Sequence, residues 1–132
     1  MEYNVENTLL NSLGIEVKSV TNDGVVATMP VDDRTRQPFG ILHGGASVAL
    51  AETVASIGAY HLINQETEMC VGLEINANHI RGKQDGTVTA HAIPMHRGKT
   101  TMVWEIKIVD ERESLICISR CTMAILKKNN SG

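Results

Sequence analysis

Aromatic side chains are scarce in this sequence of 132 residues, which contains one Trp, two Tyr and one Phe. Hydrophobic residues still make up 42% of it, so the core must be built from aliphatic side chains. A charged fraction of 20% completes a composition typical of soluble globular proteins. A chain of this length fits one core. We therefore expect residues 1–132 to form a single domain, with a frayed polar tail at residues 127–132.

The sequence also has no basic surplus, and we expect neither a secretory leader nor a disulfide framework. A net charge of −3 gives no basic footprint for nucleic acid or an anionic membrane, so any anionic ligand must be held by a local patch. We find neither a secretory signal at the N-terminus nor an apolar run of membrane-spanning length, so we expect a cytoplasmic protein. The odd number of cysteines (Cys70, Cys117 and Cys121) and the lack of CxxC spacing argue against a disulfide framework and a metal site. We expect buried thiols.

Hydrophobic periodicity and turn residues predict an α+β protein. Apolar residues at helical spacing before Gly14 predict a short helix at residues 4–13, and a hairpin surrounds Asn22–Gly24. An ordered loop at residues 32–45 precedes a helix at residues 46–64, which is apolar nearly all the way round and therefore buried. Alternating segments then predict an antiparallel sheet that covers this helix. They are residues 69–80, 87–96, 100–110 and 114–126.

Glu52 is the residue that a purely structural interpretation of the long helix does not explain. A buried carboxylate costs several kcal/mol unless it is paired or neutralised, so such a residue is rarely idle. The alternative is that this part of the helix faces solvent and Glu52 merely points outward. Gly45, seven residues earlier, and Ser56, four residues later, lie on nearly the same face of the helix.

The segment before the helix contributes further polar groups. The pair Gly44–Gly45 leaves bare backbone N–H groups at the positive end of the helix dipole, where they can stabilise an oxyanion. When the pair is taken alone, turn chemistry is the favoured explanation. His43 is either a cap or a catalytic group. Gln37, ahead of Pro38, is either a donor to a carbonyl oxygen or an exposed loop residue.

The block QPFGILHGGASVALAE, together with Ser56 and the later GLEINANHIRG, resembles the hotdog-fold thioesterases of the phenylacetate-degradation type. Within that family it is most similar to bacterial enzymes that act on aromatic acyl-CoAs. The resemblance implies an antiparallel sheet wrapped around one long central helix. It also implies hydrolysis of an acyl-CoA thioester, with no cofactor besides the CoA of the substrate. The expected assembly is a homodimer, often paired into a homotetramer, with sheets that continue across the interface.

The same resemblance assigns roles to the residues singled out above. Glu52 becomes the nucleophile or general base, while the N–H of Gly45 and the amide of Gln37 polarise the thioester carbonyl. His43 orients the substrate, and Ser56 positions the attacking water or the carboxylate. A second set docks the CoA nucleotide, with a solvated basic rim as the alternative for its cations. This set is His79, Arg81, Arg97, Gly98, Lys99 and Thr100.

Spacing along the helix predicts that the active site is shared between subunits. Gly45 and Glu52 are separated by about 10 Å along the axis, too far for both to contact one carbonyl at about 3 Å. A second helix across a two-fold axis removes this conflict.

Two other functions stay open at this stage. A hotdog hydratase or dehydratase typically has Phe-Pro after its His, whereas Gly44–Gly45 follows His43 here. A non-catalytic acyl-CoA binding module would not need Glu52. The resemblance favours an aromatic acyl-CoA as substrate, with 1,4-dihydroxy-2-naphthoyl-CoA of menaquinone synthesis as one candidate. A medium-chain fatty acyl-CoA or a carrier-protein thioester is the alternative.

Overall fold

The computed structural model describes residues 5–129. Six antiparallel strands form one sheet in the order β1-β2-β4-β5-β6-β3, and the sheet wraps around one long helix. This confirms the predicted α+β architecture. No helix of the described residues has the length and apolar character needed to cross a membrane. The elements are α1 (Leu9–Leu13), β1 (Glu16–Thr21), β2 (Gly24–Pro30), α2 (Gly44–Leu62), β3 (Glu68–His79), β4 (Thr87–Arg97), β5 (Thr101–Val109) and β6 (Leu115–Lys127).

The core lies between α2 and the inner face of the sheet. Leu50 and Val54 of α2 are fully buried there, and strands β2, β4, β5 and β6 contribute alternate residues to the same core. As composition predicts, the core is almost entirely aliphatic. Its aromatic residue is Trp104, whose ring lies against Gly58 so closely that a Cβ there would overlap it. Phe39, in contrast, is 91% exposed at the tip of the loop before α2.

The first helix is shorter than the sequence predicts. Only residues 9–13 are helical, because Asn7 has a φ of 59° and Thr8 is extended. The Thr8 hydroxyl donates to the carbonyl oxygen of Val5 at 2.5 Å, which closes a turn in place of the first helical turn. Gly14 ends the helix in the left-handed conformation, as its position predicts. Residue 4 of the predicted helix lies outside the described residues.

The long helix starts two residues earlier than predicted and includes both glycines. His43 is its N-cap, and its ring nitrogen Nδ1 accepts the N–H of Gly45, which stabilises the first turn. At the other end of the chain, Lys127 still belongs to β6, and the N–H of Lys128 donates to the carbonyl oxygen of Thr67. The polar tail therefore begins later than predicted, and residues 130–132 lie outside the described residues.

Strand β3 forms one edge of the sheet and pairs only with β6 among the described strands. Its register with β6 shifts between Gly72 and Glu74, so that Leu73 forms a bulge. Met69, Val71 and Leu73 expose large apolar side chains along this edge. A long apolar edge strand is a surface on which another chain can add a strand.

Candidate active site

Glu52 projects from α2 toward β3, with its side chain half-buried. Its Oε2 atom occupies the space that a Cβ on Gly72 would fill. No hydrogen bond or salt bridge links the carboxylate to any other residue that the structure describes. Burial, together with the negative charges of Glu52 and Glu74, raises the pKa of the Cys121 thiol to about 12. The carboxylate therefore lies at the inner face of the sheet without a counter-ion.

Glu52 also lines a groove of about 400 Å³ between α1 and α2. The apolar residues that line it are Leu9, Leu10, Ala49 and Ile57. Ser56 lies one helical turn after Glu52 in the same groove, and its hydroxyl contacts the sulfur of Met123 at 3.8 Å. The structure thus brings together two predicted site residues, the carboxylate and the hydroxyl, beside an apolar cavity.

A second cleft, of about 290 Å³, lies at the N-terminus of α2. Gln37, Gly44, His79 and Arg81 line it, and the His79 ring lies directly over Gly44. The amide oxygen of Gln37 accepts the N–H of Phe39, so the amide NH₂ is the group left to donate. This cleft brings together the predicted carbonyl donor and two of the predicted CoA-binding residues.

The backbone N–H groups at the start of α2 differ from the prediction. The N–H of Gly45, predicted to stabilise the oxyanion, donates to Nδ1 of His43 at 2.7 Å. The N–H of Gly44 has no partner among the described residues, and Gly44 rather than Gly45 lines the cleft. Because Nδ1 of His43 is an acceptor, the ring of a neutral His43 carries its proton on Nε2. In this geometry the N–H of Gly44, and not that of Gly45, is free to donate to another group.

The remaining predicted CoA-binding residues lie at the opposite end of α2. The Arg97 guanidinium donates to the carbonyl oxygen of Leu62, the last residue of the helix, at 2.6 Å. The turn 98–100 is closed by a bond from the Gly98 N–H to the Thr101 carbonyl oxygen, and Lys99 is exposed. A helix of 19 residues is about 28 Å long. Within one chain this set is therefore far from His79 and Arg81.

Three features of the site were not predicted from the sequence. They are the position of Gly44 in the cleft, the contact of Gly72 with Glu52, and the apolar residues that line the groove. The Gly-Gly pair correctly indicated the turn at the start of α2. Which of its two N–H groups is free depends on the hydrogen bond that His43 accepts. The position of Gly72 inside an otherwise alternating strand was an available signal, because glycine weakens a strand and often marks a close approach. No group of three or more His, Cys, Asp or Glu side chains in residues 5–129 is arranged to hold a metal ion.

Comparison with known proteins identifies the family. A family model described as the thioesterase superfamily matches residues 39–117. The chain belongs to the thioesterase superfamily. The 1,4-dihydroxy-2-naphthoyl-CoA hydrolase of Listeria monocytogenes is 55% identical over 120 residues, which cover 91% of this chain and 97% of that protein. These matches identify the chain as a thioester hydrolase.

Solved structures agree with the hotdog fold of this thioesterase. A mutant of thioesterase PA1618 from Pseudomonas aeruginosa has a TM-score of 0.91 and 45% identity, covering 93% of this chain and 88% of that one. A mutant of thioesterase SAV0944 from Staphylococcus aureus has a TM-score of 0.87 and 47% identity, covering 89% of this chain and 98% of that one. In one solved variant of SAV0944 a glutamate is replaced by alanine, and in another a glutamine is replaced by alanine. These two positions are separated by the same number of residues as Glu52 and Gln37 are in this chain.

Proposed function

We propose that this thioesterase hydrolyses an acyl-CoA to the free acid and CoA, with Glu52 as the nucleophile or general base. The observation that carries the proposal is the unpaired carboxylate of Glu52 beside an apolar groove. A carboxylate in this position attacks a thioester carbonyl directly or accepts the proton of an attacking water. The hydroxyl of Ser56, one turn away, positions that water or the carboxylate.

The thioester carbonyl is polarised at the N-terminus of α2. Gln37 and Gly44 line one cleft at the positive end of the helix dipole, where the amide NH₂ of Gln37 and the N–H of Gly44 are the donors for the carbonyl oxygen. His43 holds the first turn of the helix and orients the substrate through Nε2–H. The matching glutamine-to-glutamate separation in the SAV0944 variants supports a joint role for Gln37 and Glu52.

A complete site requires a second subunit. Glu52 and Gln37 line different cavities of one chain, and Gly44 lies about 12 Å from Glu52 along α2. In a two-fold dimer, Glu52 of one chain faces Gly44 and Gln37 of the other. The apolar edge of β3 supports such a dimer, with the sheets continuing across it and two dimers pairing into a tetramer.

The same symmetry explains the two separate groups of CoA-binding candidates. Antiparallel α2 helices across a two-fold axis bring the start of one helix toward the end of the other. His79 and Arg81 of one chain then share the nucleotide with the turn 97–100 of a neighbouring chain. Arg81, Arg97 and Lys99 supply positive charge for the phosphates in a chain whose net charge is −3.

The acyl group occupies the groove between α1 and α2. Leu9, Leu10 and Ile57 form an apolar wall suited to an aromatic ring system, and Glu52 stands at its side. The similarity to the Listeria monocytogenes hydrolase favours 1,4-dihydroxy-2-naphthoyl-CoA as substrate, and thus a cytoplasmic step of menaquinone synthesis.

Replacement of the carboxylate tests this proposal. Glu52→Gln keeps the shape of the side chain and removes its charge, so kcat should fall by at least about 10²-fold while KM is retained. The measurement is thiol release from naphthoyl-, benzoyl- and aliphatic CoA esters. Glu66→Gln removes an exposed carboxylate and should leave kcat unchanged. Near-normal turnover by Glu52→Gln would show that the mechanism is wrong.

A further inference from the structure

Gly72 lies on β3 directly beneath the carboxylate of Glu52. An ideal Cβ built on Gly72 would be less than 3.0 Å from Oε2 of Glu52 and 3.4 Å from its Cδ. Leaving out its neighbours in the chain, no other heavy atom of the described residues lies within 4 Å of that position. A side chain at this position would therefore meet the Glu52 carboxylate and nothing else.

The backbone does not explain why this residue is a glycine. Gly72 is not among the glycines of the described chain that have a positive φ. The bulge next to it is formed by Leu73, which carries a side chain. Glycine also weakens a strand, because it loses more conformational freedom on folding than any other residue. What Gly72 provides is the space that a side chain would fill.

We propose that Gly72 is a positioning residue for the reaction, because its missing side chain leaves the space that the Glu52 carboxylate occupies. An added methyl group displaces the carboxylate rather than the backbone, since the atom it meets is the end of a flexible side chain. Misplacement of a reacting group by about 1 Å can cost about 10²-fold in rate. This inference rests on the proposed role of Glu52.

The test is the variant Gly72→Ala in the full-length protein, assayed by thiol release. We expect kcat to fall by about 10- to 100-fold, while KM stays within about threefold and the melting temperature is not lowered. Asn78→Ala, on the outer face of the same strand, is the matched control and should retain full kcat. A kcat of Gly72→Ala within about twofold of the unmodified protein overturns the proposal. A variant that does not fold also overturns it, because Gly72 would then be a folding residue.

A double-mutant cycle shows whether Gly72 acts through the carboxylate. In a Glu52→Gln background, Gly72→Ala should cause no further loss of rate, because the group it displaces no longer reacts. In a Glu52→Asp background the loss should be smaller, since the shorter side chain withdraws from Gly72. Equal losses in all backgrounds overturn the proposal. An active Glu52→Gln variant overturns the role of Glu52, whereas an inactive one beside a fully active Gly72→Ala overturns only the role of Gly72.

Discussion

Adjacent backbone N–H groups at the start of α2 have different partners. The N–H of Gly45 donates to His43, whereas the N–H of Gly44 has no hydrogen-bond partner among the described residues and Gly44 lines the cleft beside Gln37. Successive residues of a helix are rotated by about 100° around its axis, so a displacement of one residue decides which N–H group lies next to a substrate. The sequence predicted that the N–H of Gly45 serves the reaction. The choice between Gly44 and Gly45 depends on the rotamer of His43, which the sequence does not specify.

Gln37 offers the clearest test of carbonyl polarisation at the residue scale. Its amide oxygen is held by the Phe39 N–H, which aims the NH₂ group, and its backbone bonds to Gly40 and Ile41 do not require the side chain. Gln37→Ala should therefore lower kcat by about 10²- to 10³-fold without unfolding the loop. Steady-state kinetics with a CoA ester give the value.

The control for Gln37 is Gln84→Ala, which removes an amide from an exposed loop and should have no effect on rate. If Gln37→Ala retains the full kcat/KM, Gln37 is only a structural residue of the loop, and the carbonyl must be polarised by backbone groups alone.

At the scale of elements, the nearly uniform apolar character of α2 predicted a buried helix, and the structure confirms it. The small residues of α2 have a packing reason that only the structure reveals. The Trp104 ring lies over Gly58, and it is fully buried with its Nε1 lacking a hydrogen-bond partner in the described chain. Periodicity indicates which face is apolar, but it does not identify the side chain that packs on it.

Gly58→Ala should destabilise the protein although alanine favours helices. The added methyl group would overlap the Trp104 ring, which is rigid and enclosed, and overpacking of this kind typically costs about 1–3 kcal/mol. The gain in helix propensity is about 1 kcal/mol at most. Urea unfolding should show a lower midpoint at an unchanged slope.

A substitution of Trp104, whose ring lies against Gly58, tests this explanation. Replacing Trp104 by Phe shortens the ring and removes the unpaired N–H, so Gly58→Ala should cost less in a Trp104→Phe background than alone. A Gly58→Ala protein that is more stable than the unmodified one would contradict the packing explanation.

At the scale of the whole molecule, alternation and turn residues predicted six strands and one long helix, but they do not specify strand order. β3 pairs with β6 rather than with β4, which follows it in the chain. The hairpin of β1 and β2 was predictable because its turn is local. The β3–β6 pairing was not predictable because it joins segments that are distant in the sequence. The division of the CoA-binding candidates between the two ends of α2 likewise depends on how distant segments are arranged.

The assembly of subunits determines whether the site is complete, since Glu52 and Gln37 line different cavities of a single chain. Glu52→Ala and Gln37→Ala subunits should each be nearly inactive, but refolding them together should restore activity. Consider a dimer of one Glu52→Ala and one Gln37→Ala subunit whose two sites are each built from both chains. One site then contains both substitutions, while the other contains an intact Glu52 from one chain and an intact Gln37 from the other. Random mixing yields about half mixed dimers, so about a quarter of all sites should be active. Thiol release after verified subunit exchange gives the fraction. A mixture that exchanges subunits and stays inactive would place both residues of each site within one chain.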